Sequence, residues 1–257
     1  MNINNITFPK NKKNIHIISI ALHANGTSSY RDSTAIAKLC SSIWTNSNIY
    51  ILTDNPSNIK INGNNIYIVH ISSKQQLLIQ INSIVSQIND KENLLFTMSS
   101  HGYSTSINSR INKELNGRSE YVMISNKTVM DYELFESLYD SMKPNVFSLC
   151  LIDTCHSGTM LDLEYLSYDG LTFHQTYTIS KKRPLSFCIS ACNDNEKAGE
   201  DISNYAGWGG KLTCHFLDYI SKKSSKIFNI FDFYKSIHKT FTSQSYQKSH
   251  PIISYND

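Results

Sequence analysis

Apolar residues are distributed along the chain in two alternating patterns. Short runs rich in β-branched residues, at 15–22, 49–53, 66–71, 94–98, 147–153 and 185–190, read as buried strands. Between them, residues 32–44, 74–88, 132–142 and 212–221 place apolar side chains three or four apart, the spacing of amphipathic helices. Strands alternating with helices predict an α/β fold with a mostly parallel sheet of about six strands, covered on both faces. Two stretches, 102–118 and 163–182, break the rhythm. Both are polar and longer than an ordinary connection, and read as loops open to motion or processing. With no internal repeat and no Pro-rich or Gly-rich linker, one domain is expected.

Composition narrows the function classes. The chain has 257 residues, 40% hydrophobic and 18% charged, the balance of an ordinary globular protein. At this size folding buries roughly 70 to 75% of the unfolded surface, so disulfides are not needed. A net charge of +3 does not point to nucleic acid, and the short basic runs at 10–13 and 181–183 read as solvated surface. Residues 1–14 read as a polar extension without the apolar core of a signal peptide, and no run approaches the roughly 20 apolar residues of a membrane span. The six cysteines are then expected to be reduced thiols in an intracellular, cytoplasmic protein with no membrane partner.

In open α/β sheets, chemistry gathers beyond the carboxyl ends of the strands. The run at 94–98 ends in Ser99-Ser100-His101-Gly102, and the run at 147–152 ends in Asp153-Thr154-Cys155-His156-Ser157-Gly158. Neighbouring parallel strands would set His101 and Cys155 across one cleft. A thiol attacks a carbonyl as its thiolate, and an imidazole can take the thiol proton and pass it to the leaving amine. His101 precedes Cys155 by about 50 residues, the caspase spacing. A single Cys or His would carry little, because buried cysteines and lone histidines are usually structural.

These motifs resemble those of metacaspases, whose hallmarks are SHG after one strand and DTCHSG after another. Residues 186–195 are similar to that family's SISAC-x-D segment, and Gly209-Gly210-Lys211-Leu212-Thr213 is similar to the G-x-LT that opens its late helix. The resemblance implies a caspase-hemoglobinase sandwich over residues 15–257. Its large-subunit-like portion would cover about 15–165 and its small-subunit-like portion about 183–257. It also implies a cysteine endopeptidase using a Cys155–His101 dyad, with the backbone N–H groups of Cys155 and Gly102 as oxyanion hole. His156, next to the nucleophile, would face the other way on an extended chain and serve structure.

Metacaspases hold a P1 Arg or Lys with carboxylates. By the resemblance the pocket would be Asp153, Asp32 and Ser99, with Ser29 replacing the family's cysteine; Asp32 also reads as a helix N-cap. The family's calcium site is matched only in part, by Asp131 and Asp162. Tyr132 and Ser119 stand at two other ligand positions, Glu120 or Glu133 are possible substitutes, and Asp131 also reads as an N-cap. The expectation is that no cofactor is required and that calcium binds weakly if at all. The partners implied are protein or peptide substrates with a basic P1 residue. A monomer is expected, with self-cleavage conceivable at Arg110, Lys113, Arg118, Lys181, Lys182 or, against Pro184, Arg183. The alternatives are a catalytically silent scaffold of the same fold, or a legumain-like or paracaspase-like relative with another P1 choice.

Overall fold

The computed structural model describes residues 5–10, 14–22, 28–106, 118–176, 183–223, 226–243 and 249–256. Arg110, Lys113, Lys181 and Lys182 lie outside these residues. The strands are β1 (Thr7–Phe8), β2 (Ile15–Ala21), β3 (Asn48–Thr53), β4 (Ile66–His70), β5 (Asn93–Ser99), β6 (Gly102–Thr105), β7 (Ser119–Ile124), β8 (Lys127–Met130), β9 (Phe147–Asp153), β10 (Tyr165–Ser167), β11 (His174–Gln175), β12 (Ser186–Ser190), β13 (Glu200–Ser203), β14 (Gly207–Gly210), β15 (Phe228–Asn229) and β16 (Ile252–Asn256). The helices are α1 (Ser29–Ile43), α2 (Lys74–Gln87), α3 (Asp131–Tyr139), α4 (Lys211–Ser221) and α5 (Ile230–Ser243).

The main sheet has nine strands in the order β11-β10-β16-β12-β9-β5-β2-β3-β4. The stretch from β12 to β4 is parallel, and these six strands are the apolar runs of the sequence; β16, β10 and β11 extend the sheet antiparallel beyond them. Alternate side chains along each central strand serve opposite faces. Leu95, Leu149 and Leu151 join one apolar cluster with residues of α1, α4 and α5, while Leu94, Phe96, Cys150 and Ile152 join a second with residues of α2 and α3. Both faces are buried, so these strands show continuous apolar runs instead of alternation.

From β2 the chain runs outward through β3 and β4, then returns to β5 on the other flank of β2. That reversal opens a crevice beyond the carboxyl ends of β2 and β5, next to β9.

Several expectations are corrected. Residues 102–118 open with β6, which pairs with β7, itself paired with β8, and residues 163–182 contain β10 and β11. These strands are too short to give a periodic signal. Helix α1 begins at Ser29, which puts Asp32 in its first turn instead of at its cap; the cap residue is Ser28. Asp131 is likewise the first residue of α3, with Met130 at the N-cap position. The segment read as a polar extension pairs its β1 with β15 and buries Phe8, whose ring lies 5.9 Å from Trp44 and 6.0 Å from Phe147.

Candidate active site

Strands β5 and β9 set the register of the site. Ser99 and Asp153 are direct partners at their carboxyl ends, so His101 and Cys155 each follow two residues later on adjacent chains. Both line one cleft of about 270 Å³ with Ser99, Ser100, Asp153 and Glu200. Cys155 is half-buried, whereas Cys40, Cys150, Cys188, Cys192 and Cys214 are all buried. Burial pushes the thiols of Cys150, Cys192 and Cys214 up to about 12, which keeps them protonated and unreactive at neutral pH.

Gly102 presses against Cys155. A β-carbon there would lie 1.9 Å from the Cys155 carbonyl oxygen, so only glycine allows the loop after β5 to meet the loop after β9. His156 adopts a left-handed φ of 53°, not the extended conformation expected, and its Nδ1 sits 2.5 Å from the Asp194 carbonyl. Its own N–H donates to the Glu196 carbonyl at 3.0 Å. His156 therefore ties the loop after β9 to the 192–197 turn, a structural role reached through a sharp bend.

Near His101 and Cys155 lie two buried carboxylates. Asp153 accepts the Thr213 N–H at 2.8 Å. Asp32 accepts Ser99 Oγ–H at 2.6 Å, Ser28 Oγ–H at 2.9 Å and the Gly210 N–H at 3.1 Å. Burial, and secondly the Asp32 charge, push the Asp153 carboxyl up to about 7; burial also raises Asp32, against the bonds from Ser99, Ser28 and Gly210. The Gly209–Gly210 pair fits between them: β-carbons there would fall 2.5 Å from Asp32 Oδ1 and 2.3 Å from Asp153 Oδ2. Among the described residues no Lys, Arg or His forms an ion pair with either acid. Lys211, next in sequence to Gly210, sets its ammonium 4.2 Å from the Phe241 ring centre.

Ser28, not Ser29, lines the cleft. Positions 28 and 32 lie four apart on one helical face, whereas Ser29 turns into the buried side of α1. Glu200 was missed by sequence reasoning. It arrives on the β13–β14 hairpin, whose loop of Asn204, Tyr205 and Ala206 precedes Gly207 at φ +65°. A short Gly-bearing connection between two brief strands was the available signal.

Of the residues matched to a calcium site, Asp131 and Asp162 are both buried. Asp131 spends Oδ1 on the Tyr132 N–H at 2.6 Å and Oδ2 on the Glu120 N–H at 2.7 Å. Glu120 Oε2 accepts from Thr159 Oγ1 at 2.8 Å, and Asp162 is buried with a φ of 45°. Among the described residues no group of three or more His, Cys, Asp or Glu side chains is arranged to hold a metal ion.

The family model "Metacaspase, peptidase C14 domain" matches residues 13–164, more than half of the chain and the part holding Asp32, His101, Asp153 and Cys155. The chain belongs to this metacaspase family. No curated protein matches it. A Geobacter sulfurreducens protein of known crystal structure is similar in fold, with a TM-score of 0.61 at 16% identity over 95% of this chain and 94% of that one. The DNA/pantothenate metabolism flavoprotein of Streptococcus pneumoniae aligns over 84% of this chain and 98% of its own at 12% identity, with a TM-score of only 0.36. The metacaspase match stops before β12, so the hairpin that brings Glu200 to the cleft lies outside it. No helix among the described residues is long and apolar enough to cross a membrane.

Proposed function

We propose that this metacaspase is a cysteine endopeptidase that cuts after Arg or Lys. The observation that carries the reading is the pair of buried carboxylates at the cleft: Asp153 in its lining, and Asp32 bonded to Ser99 and Gly210 of the same lining. Two like charges held out of water in one site are costly, and a guanidinium or ammonium arriving from the cleft relieves both burial and repulsion. With the basic side chain seated there, the scissile carbonyl lies over Cys155.

In the reaction, His101 takes the Cys155 thiol proton as sulfur bonds to the carbonyl carbon. The backbone N–H groups of Cys155 and Gly102 receive the oxyanion. Collapse breaks the C–N bond, and His101 returns the proton to the departing amine. Water, losing a proton to His101, then hydrolyses the thioester and restores the thiol.

The outer edge of the last strand, β16, is occupied by β10, which favours a monomer, since caspases dimerise by pairing their last strands. Self-cleavage after Arg118 or Arg183 is disfavoured. Arg118 bonds Ser104 at 3.1 Å, and Arg183 pairs with Asp140 at 2.6 Å and precedes Pro184.

The test is hydrolysis of a P1-Arg peptide by wild-type and Cys155→Ala protein, each with calcium and with chelator. The expected result is a loss of about 10⁴-fold or more in the variant, with the wild-type rate changing less than twofold between calcium and chelator. A wild-type protein inactive in both conditions refutes the peptidase reading, and one active only with calcium refutes its metal independence.

A further inference from the structure

The cleft is small for its task. At about 270 Å³ it falls below the roughly 300 to 1,000 Å³ of sites that enclose a whole drug-sized ligand. It can take one long side chain and the scissile bond, and the neighbouring residues of a polypeptide must lie on its rim.

One rim is the β13–β14 hairpin. Its register pairs Glu200 with Gly210 and Ile202 with Trp208. Side chains alternate along a strand and directly paired residues share a face, so Glu200, Ile202, Trp208 and Gly210 all present the same face. Glu200 and Gly210 line the cleft, so Ile202 and Trp208 continue its wall outward. The opposite face carries Asp201, which meets His215 of α4 at 3.2 Å, and Gly209, which meets Asp32 and Cys214. That face is spoken for; the cleft-side face is bare.

Ile202 is 66% exposed and Trp208 45%, with Tyr205 at the hairpin turn also 45%. The indole is held in place, its Nε1–H donating to Glu200 Oε2 at 2.6 Å. A fixed aromatic ring beside an exposed isoleucine, continuous with a substrate cleft, is an apolar surface that a flanking substrate side chain can cover.

We propose that Ile202 and Trp208 form a second specificity site for an apolar side chain adjacent to the basic residue held over Asp153. The Trp208–Glu200 bond couples this apolar wall to the charged pocket. The occupant is the substrate polypeptide itself. The proposal deepens the peptidase reading and rests on it for the basic residue, but not for the apolar one.

The test is a set of peptides with Arg at P1 and Leu, Phe, Ala or Ser at each flanking position, repeated with Gln and Asp in place of Arg. Wild-type kcat/KM is expected to favour Leu or Phe over Ser by about tenfold at one flanking position. Trp208→Ala and Ile202→Ser should reduce that ratio to about two. Trp208→Phe, which keeps the ring, should retain it, as should Ile79→Ser, which removes an exposed isoleucine on α2. Affinity of Cys155→Ala protein for the same peptides supplies a readout without turnover, in which the Leu-to-Ser ratio should again vanish with Trp208→Ala. Absence of cleavage after Arg with the apolar preference intact overturns the basic-pocket reading alone. A wild-type protein indifferent to the flanking residue in both readouts, or a Trp208→Ala protein that keeps the preference, overturns the hairpin site.

Discussion

The chain buries two sets of carboxylates, built in different ways. Asp32 and Asp153 adjoin a cleft, receive bonds from the Ser28 and Ser99 hydroxyls and from the Gly210 and Thr213 N–H groups, and have glycines pressed against them where any side chain would collide. Glu120, Asp131 and Asp194 are knitted into the fold. Asp131 holds the Glu120 and Tyr132 N–H groups, and Asp194 Oδ1 takes the Thr159 N–H at 2.9 Å. Burial pushes Asp131 and Asp153 alike up to about 7. The perturbation therefore does not tell a receptor from a strut; the partner inventory does. Asp131 takes one backbone N–H on each oxygen, whereas Asp153 adjoins a cleft and takes the Thr213 N–H on Oδ2.

The largest separation between the two sets is expected from Asp153→Asn. It should lower kcat/KM for a P1-Arg peptide by about 10²-fold, because a buried cation then loses its direct partner. The same change should raise Tm. The folded-state value of Asp153 lies above its ordinary 3.8, so its ionisation opposes folding and stability is lost as pH climbs from about 4 towards 7. Removing the charge should therefore raise Tm by calorimetry at pH 8, and the gain should disappear near pH 4.

Next in size is the pH response. Asp153 is neutral below about pH 7. The preference for a P1-Arg peptide over its uncharged citrulline counterpart should fall about tenfold between pH 8 and pH 6, and stay flat in Asp153→Asn. Taking the ratio of the two substrates cancels titration of the reacting groups.

Asp131→Ala should do the reverse of Asp153→Asn. It strands the buried Glu120 and Tyr132 N–H groups, at a cost of about 2 kcal/mol and roughly 4–8 °C in Tm. P1 preference should change less than twofold. A large shift in preference in this variant would erase the distinction between the two sets.

Much of this arrangement was legible from the chain. The six parallel strands are continuous apolar runs because both their faces are buried, and the ends of two of them carry His101 and Cys155. Asp153 followed from its place two residues before the nucleophile. What escaped depends on long-range packing. Glu200 reaches the cleft only because a four-residue strand folds back over it, and Ser28 displaces Ser29 because α1 starts a turn earlier than its apolar spacing suggested. Helix α5 did carry a signal, with Ile230, Tyr234, Ile237 and Phe241 buried along one face, as did the alternating Ile6 and Phe8 before it. A position also does not reveal that Asp131 accepts two backbone N–H groups.

The most direct measurement is the P1 profile of the wild-type protein on a peptide library that varies only that residue. Cleavage confined to Arg and Lys is the expected result, with Asp153 and Asp32 as the groups that read the charge. Cleavage after Asp or Asn would contradict it, because neither side chain brings a cation to the buried pair.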